Sequence, residues 1–293
     1  MLAADLEGST AAVRYPVSLS YKLDGVRAFV EDGVLLSRSR KPIPNPFVQA
    51  WCQAHKEALD GADGELIVGT PYNVEGEESV MSRTMSGVMS GKGQPSFTYY
   101  IFDSVLAKGG HRERLAAVAN KAGGVPRVSI VDHARVTNES ALLAYEQEAL
   151  QGGYEGLMVR YPDGPYKQGR ATLKEGYLSK LKRFATEEGT VVGTYELMRN
   201  ENEARVDALG HTERSTVRSG LVAGGTLGGL LVRCADGCEF GLGGGFTAAQ
   251  RADLWAKRDT LVGKTVTFKH FAYGRKDAPR FPVFVSFRDS MDA

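Results

Sequence analysis

Residues 20–30 read SYKLDGVRAFV. Three charged side chains, Lys22, Asp24 and Arg27, stand in a run otherwise suited to a partly buried strand. An unpaired charge taken out of water is costly, so these three require partners or a ligand. Just downstream, RAFVEDGVLLSR (27–38) reads as a hairpin, with two apolar runs around Asp32-Gly33, a favoured tight turn. Strands that carry charges at their ends therefore open the chain.

The same pattern recurs further on. Side chains two apart on a strand share a face. Lys22 and Asp24 share one if the strand runs that far, as do Asp63 and Glu65 in DGEL (63–66), and Lys180 and Lys182 in YLSKLK (177–182). Glu155 precedes the apolar run GLMVR (156–160). Taken singly, each fits a charge at a strand end reaching into water. Taken together, they describe a polar cleft over a sheet, suited to a phosphate and a divalent metal. Lys180 and Lys182 are expected to lower the pKa of Lys22 and so ready it as a nucleophile.

Helical patterns lie between these strands. PFVQAWCQAHKEALDG (46–61) reads as one helix with Phe47, Trp51 and Ala54 on a stripe, closed by Gly61. NESALLAYEQEALQGG (138–153) is a helix opened by Asn138 and ended by two glycines. Past residues 184–188 the character changes to short β-type runs separated by glycines, with one helix at TAAQRADLWAK (247–257). That reads as a small β-barrel. The fold class expected is α+β, with domains at 1–186 and 187–293. Residues 199–225 read as a long polar loop, in which four arginines face four acids.

Composition narrows the classes. The net charge of +1 gives no bulk field toward polyanions, so binding to nucleic acid must rest on local clusters. One such cluster is the tail, where Lys264, Lys269, Arg275, Lys276, Arg280 and Arg288 stand against Asp277. Three cysteines (Cys52, Cys234, Cys238) are too few for a disulfide framework, and reduced thiols in an intracellular protein are expected. Neither a secretory leader nor a run of membrane-spanning length is read. The P-loop pattern and a strand-linked dinucleotide fingerprint are also absent from the sequence. GLGGGF (241–246) lies between β runs and marks tight turns.

YKLDGVR (21–27) resembles the K-x-D-G-x-R signature of covalent nucleotidyltransferases, which comprise ATP-dependent DNA ligases, RNA ligases and mRNA capping enzymes. SRSRKPIPN (37–45), DGEL, YYIFDSV (99–105), EGLMVR (155–160) and YLSKLK follow in that family's order. YKQGRATLKEGYLSKLK (166–182) and GRKDAPRFPVFVSFRD (274–289) extend the likeness, which is nearest to ATP-dependent DNA ligases of the small viral type.

The resemblance implies a nucleotidyltransferase (adenylation) domain with antiparallel sheets and helices, followed by an OB-fold. It implies ATP as cofactor, with AMP carried on Lys22, and Mg²⁺, for which Mn²⁺ can substitute. Asp24 and Glu155 would help hold the metal, and Glu65 would contact the ribose or a metal. Phe102 would stack on adenine, although a core aromatic is an equal reading of that residue. Lys180 and Lys182 would grip the α-phosphate. Arg27, Arg38 and Arg170 would touch the nucleotide or the 5′-phosphate of a nick, and Arg280 would orient the pyrophosphate. The partner implied is nicked double-stranded DNA, encircled by a monomer through a latch-like insertion near 199–225. No membrane is implied, and the location expected is the cytoplasm or the compartment of viral or cellular DNA replication. An RNA ligase or capping enzyme would use the same lysine. A DNA-binding protein with a degenerate transferase domain is the non-enzymatic alternative.

Overall fold

The computed structural model describes the 293-residue chain except residues 75, 207–211, 216, 272–277 and 289–293. It forms two compact units, Met1–Arg183 and Phe184–Ala293.

Unit 1 is built on two five-stranded sheets. One runs in the order β1 (Ala4–Asp5), β10 (Leu178–Leu181), β9 (Leu157–Arg160), β2 (Val17–Tyr21) and β8 (Ala134–Val136). The other runs β4 (Val34–Ser37), β3 (Val26–Glu31), β5 (Ala62–Val68), β6 (Phe97–Ser104) and β7 (Val128–Ile130). All neighbours are antiparallel except the β1–β10 and β6–β7 pairs. The β3–β4 hairpin turns at Asp32 and Gly33 with φ of 51° and 78°, the left-handed pair such a tight turn needs.

Helices cover the sheets. Asn45 caps α1 (Pro46–Ala54) by accepting from the N–H groups of Phe47 and Val48, with Pro46 at the first helical position. The single helix expected over 46–61 instead breaks at His55 (φ −117°, ψ 20°), and α2 (Lys56–Leu59) follows. The break lets Leu59 enter the core, fully buried. α3 (Val80–Val88) and α4 (His111–Ala122) complete this layer around Trp51, Leu66, Phe97 and Ile101. Asn138 opens α5 (Glu139–Gln151), as its side chain accepts from Ala141 N–H. Leu142 and Ala149 of α5 pack with Leu19, Leu157, Val159 and Leu181 of the first sheet.

Unit 2 is a curled antiparallel sheet in the order β15 (Glu239–Leu242), β14 (Leu221–Cys234), β11 (Phe184–Asn200), β16 (Thr265–Phe271) and β17 (Arg280–Phe287). A bridge between Gly244 and Val283 brings its edges together, which leaves a partly open barrel of the OB type. α6 (Ala248–Ala256) opens with a capping box between Thr247 and Gln250. Leu230, Val232, Val266 and Phe268 fill the interior.

The segment 199–225 differs from the loop expected. β11 and β14 stay paired out to Asn200 opposite Leu221. Beyond them, β12 (Ala204–Val206) pairs with β13 (Thr212–Arg214). The side-chain amide of Asn202 donates to Ser215 O at 2.8 Å and Val217 O at 2.9 Å, closing the base of this extension. The sequence here is polar and glycine-rich and lacks the apolar alternation that marks a strand. Arg275, Lys276 and Asp277 of the basic tail lie outside the described residues.

Candidate active site

A cavity of about 260 Å³ opens in unit 1, lined from both sheets by residues that include Lys22, Glu65, Phe102, Met158, Arg170 and Lys180. Backbone packing sets its shape. Lys22 follows directly on β2, and its N–H donates to Gly156 O at 2.9 Å. A Cβ on Gly25 would sit 2.2 Å from Leu66 O, so only glycine lets the turn after Asp24 close onto β5. Because β2 ends at Tyr21, strand alternation does not place Lys22 and Asp24 on one face as expected, and the turn at Gly25 sets Asp24, which is buried.

Two lysines converge on one carboxylate. Lys22 Nζ lies 2.6 Å from Glu155 Oε2, and Lys182 Nζ lies 3.0 Å from the same oxygen. Burial would raise the Glu155 pKa, but Lys22 and Lys182 overcome it and hold the group at about 2. Burial would lower Lys22, yet Glu155, with Glu65 and Asp24 behind it, leaves the ammonium above its ordinary value. This corrects the lowered Lys22 expected from neighbouring cations. The downward shift falls on Lys182, where burial together with Lys22 outweighs Glu155. Lys180 lines the cavity and pairs with Asp5 at 2.8 Å. Burial pushes Glu65 up to about 7, against Lys22 and Arg27.

Arg27 is held bidentately by Asp63, from Nε at 3.0 Å and Nη2 at 2.6 Å. Its guanidinium carbon lies 5.6 Å from the centre of the Phe102 ring, and that of Arg160 lies 5.3 Å away. Phe102 is half-buried and forms part of the cavity wall. Exposed Arg38 and Arg170 line the same cavity, and Arg170 Nη1 donates to Ala3 O at 2.7 Å. Arg280 belongs to β17 of unit 2.

The sequence reading did not find the ion cluster behind this wall. Asp103 accepts from Arg114 Nε at 2.8 Å and Arg160 Nη1 at 2.9 Å, all three buried. Its signal was a charge at the end of each apolar strand, Asp103 in YYIFDS and Arg160 in GLMVR. Tyr166, whose hydroxyl donates to Asp63 Oδ2 at 2.8 Å, carried no signal of its own.

An aromatic ring and a thioether beside several cations suit a purine and its phosphates. Asp24, Glu65 and Glu155 offer the hard oxygen donors that Mg²⁺ takes. Asp24 and Glu155, expected to help hold a metal, and Glu65, expected to contact the ribose or a metal, do not form a ready cluster, and among the described residues no three His, Cys, Asp or Glu side chains do. Mg²⁺ is usually held by one or two carboxylates plus phosphates and water, so the donors fit an ion that arrives with a nucleotide.

Residues 1–182 match the ATP dependent DNA ligase domain, and residues 222–288 match the DNA ligase OB-like domain. A DNA ligase of Haemophilus influenzae is 26% identical over 272 residues, spanning 91% of this chain and 84% of its own. The crystal structure of Chlorella virus DNA ligase-adenylate is 32% identical, covers 98% of each chain and superposes with a TM-score of 0.53. A Lig E DNA ligase structure, 24% identical, shares the fold with a TM-score of 0.67 over 98% of this chain and 100% of its own. With the lysine–carboxylate cleft in unit 1 and the OB-like sheet in unit 2, these matches show that the chain belongs to the ATP-dependent DNA ligase family.

Proposed function

We propose that Lys22 is the nucleophile through which this ATP-dependent DNA ligase seals nicks in duplex DNA. The observation that carries the reading is the convergence of Lys22 and Lys182 on Glu155 at the edge of the cavity.

The reaction has three steps. Lys22 Nζ, having released a proton to water, attacks the α-phosphorus of ATP; an N–P bond forms, a second amine proton passes to water, the bond to the β-phosphate oxygen breaks, and pyrophosphate leaves. The 5′-phosphate of the nick then attacks the same phosphorus and takes AMP from the lysine. Finally the 3′-hydroxyl attacks the phosphorus of the 5′-phosphate and gives its proton to water; a phosphodiester forms, the bridging P–O bond to AMP breaks, and AMP leaves.

Such transfers depend chiefly on positioning and charge neutralisation. Lys180 and Lys182 neutralise the α-phosphate. Phe102 stacks on adenine, and Glu65 reaches the ribose or a metal. Arg27, Arg38 and Arg170 hold the nucleotide or the nick phosphate, and Arg280 orients the pyrophosphate. Asp24, Glu65 and Glu155 would hold Mg²⁺, or Mn²⁺ in its place, which when bound supplies charge neutralisation at the transferring phosphate. The domains act as an adenylation module over 1–186 and an OB module over 187–293. The ribbon within 199–225, with Arg199, Arg214 and Arg218 exposed, clamps duplex DNA around a monomer. Among the described residues no helix is long and apolar enough to cross a membrane. The working location is the cytoplasm or the compartment of DNA replication.

A nick that already carries AMP on its 5′-phosphate separates the first step from the last. Lys22→Ala should seal this substrate without ATP and fail on an ordinary nick. Sealing of the ordinary nick by that variant would refute the role of Lys22.

A further inference from the structure

The connection between β9 and β10, residues 161–177, carries Tyr166 and Arg170 on one braced loop. Glu175 closes the loop on itself, accepting from Lys167 Nζ at 2.7 and 2.8 Å and from Thr172 N–H at 2.8 Å. Its other end is fastened by Arg114, whose Nη1 donates to Gly164 O at 2.8 Å and whose guanidinium carbon lies 5.6 Å from the Tyr166 ring centre. The loop therefore delivers the Tyr166 hydroxyl to the Arg27–Asp63 pair, where it donates to Asp63 Oδ2 at 2.8 Å and accepts from Arg27 Nη2 at 3.5 Å.

Asp63 Oδ2 also accepts from Arg27 Nη2, while Asp63 Oδ1 accepts from Arg27 Nε. Asp63 is only 1% exposed, so its carboxylate is oriented by the groups that bond it rather than by water. The hydroxyl of Tyr166 fixes the plane of the carboxylate, and the carboxylate fixes the fork of the guanidinium. Arg27 in turn lies along the cavity wall beside Phe102.

We infer that Tyr166 is a positioning residue for the nucleotide step, holding Arg27 in its ATP-binding orientation chiefly through Asp63 and also by its own longer bond to Arg27 Nη2. The inference rests on the reading that Arg27 contacts the nucleotide. Tyr166 itself is not among the residues that line the cavity. Its effect belongs to the concentration of ATP needed, because a misaligned guanidinium weakens binding before it weakens chemistry.

The test is single-turnover labelling of the intact chain with ATP labelled at the α-phosphate, in the absence of DNA. The forms compared are wild type, Arg27→Ala, Tyr166→Phe and the double variant. Tyr166→Phe keeps the ring against Arg114 and removes only the hydroxyl. The ATP concentration for half-maximal rate should rise on the order of tenfold, the size expected from losing one hydrogen bond to a charged group. The maximal rate and sealing of a nick that already carries AMP should stay unchanged, while the lost bond to buried Asp63 lowers the melting temperature modestly. The double variant should be no worse than Arg27→Ala alone, since both changes break one chain of hydrogen bonds. If Arg27→Ala leaves the ATP dependence unaltered, the reading of Arg27 is wrong and the inference goes with it. If Arg27→Ala weakens ATP use but Tyr166→Phe does not, or the two effects add, Arg27 keeps its role and the positioning by Tyr166 is overturned. A lowered melting temperature with an equal loss of maximal rate would mark Tyr166 as merely structural and likewise overturn it.

Discussion

The backbone N–H of Lys22 donates to the carbonyl oxygen of Gly156 at 2.9 Å. This bond continues the β2–β9 ladder one step past Tyr21 opposite Leu157. It brings the end of one strand to the start of another, so Glu155, the residue before Gly156, meets the Lys22 ammonium at 2.6 Å. Gly156 adopts φ of 141°, and a Cβ there would lie 2.2 Å from Leu181 O. The alignment of lysine and carboxylate is thus built into the backbone.

Gly156→Ala should therefore cost about 2 kcal/mol or more in the stability of unit 1, from strain at a glycine-only dihedral and the clash with Leu181 O. It should also slow adenylylation, because Glu155 moves with it. Urea denaturation and single-turnover labelling check both effects. Wild-type values in both would show that this close approach can relax.

Glu155→Ala removes the carboxylate shared by Lys22 and Lys182 and leaves two lysines facing each other. Nick sealing should fall on the order of a hundredfold or more, while nicked DNA still binds. Near-normal sealing across a series of Mg²⁺ concentrations would remove Glu155 from the mechanism.

Acid should destabilise unit 1 through two histidines, buried His111 and half-buried His133. Burial, with Arg160 nearby, lowers His111 from 6.5 to about 3 and His133 from 6.5 to about 4. Both are neutral in the folded chain, so the unfolded chain binds more protons below 6.5. Their contribution is complete above pH 6.5 and is lost as pH falls toward 4 and then 3. The slope is at most about 1.4 kcal/mol per pH unit for each. Unfolding midpoints at pH 7 and pH 5 should differ less in His133→Gln than in wild type. Equal differences would mean that His133 titrates normally.

The ribbon between Asn200 and Leu221 is tied to itself, through β12 with β13 and through Asn202. Replacing residues 201–220 with a short Gly/Ser turn should leave labelling of Lys22 intact, since that step needs no DNA. Affinity for nicked duplex should drop, and its salt dependence should become shallower by about one unit for each DNA phosphate the ribbon had neutralised. Unchanged affinity and slope would reduce the ribbon to a spacer.

Much of this was legible in the sequence, for physical reasons. Lys22, Glu65 and Lys180 line one cavity because charges set on or beside apolar strands converge where two sheets meet, whereas Phe102 and Arg170 of the same cavity are named only through the resemblance. The α+β class and a small β-barrel followed from a change in periodicity, and the OB type of that barrel from the resemblance to DNA ligases. What stayed hidden depends on distance in three dimensions. Lys22 carries a raised pKa rather than a lowered one because Glu155 sits closer to it than any distant repulsion can offset, and spacing along a chain gives no such distance. Asp103 with Arg114, and Tyr166 with Asp63, are pairs from separate elements. The strands within 199–225 escaped because the segment is polar and glycine-rich, with no apolar period to read.

Covalent labelling tests the central claim most directly. The intact protein is incubated with Mg²⁺ and ATP labelled at the α-phosphate, without DNA, then denatured, resolved on a gel and digested. The label should survive denaturation, map to the peptide that carries Lys22, and vanish in Lys22→Ala. Label that persists in Lys22→Ala, or that maps to Lys180 or Lys182, would contradict the assignment.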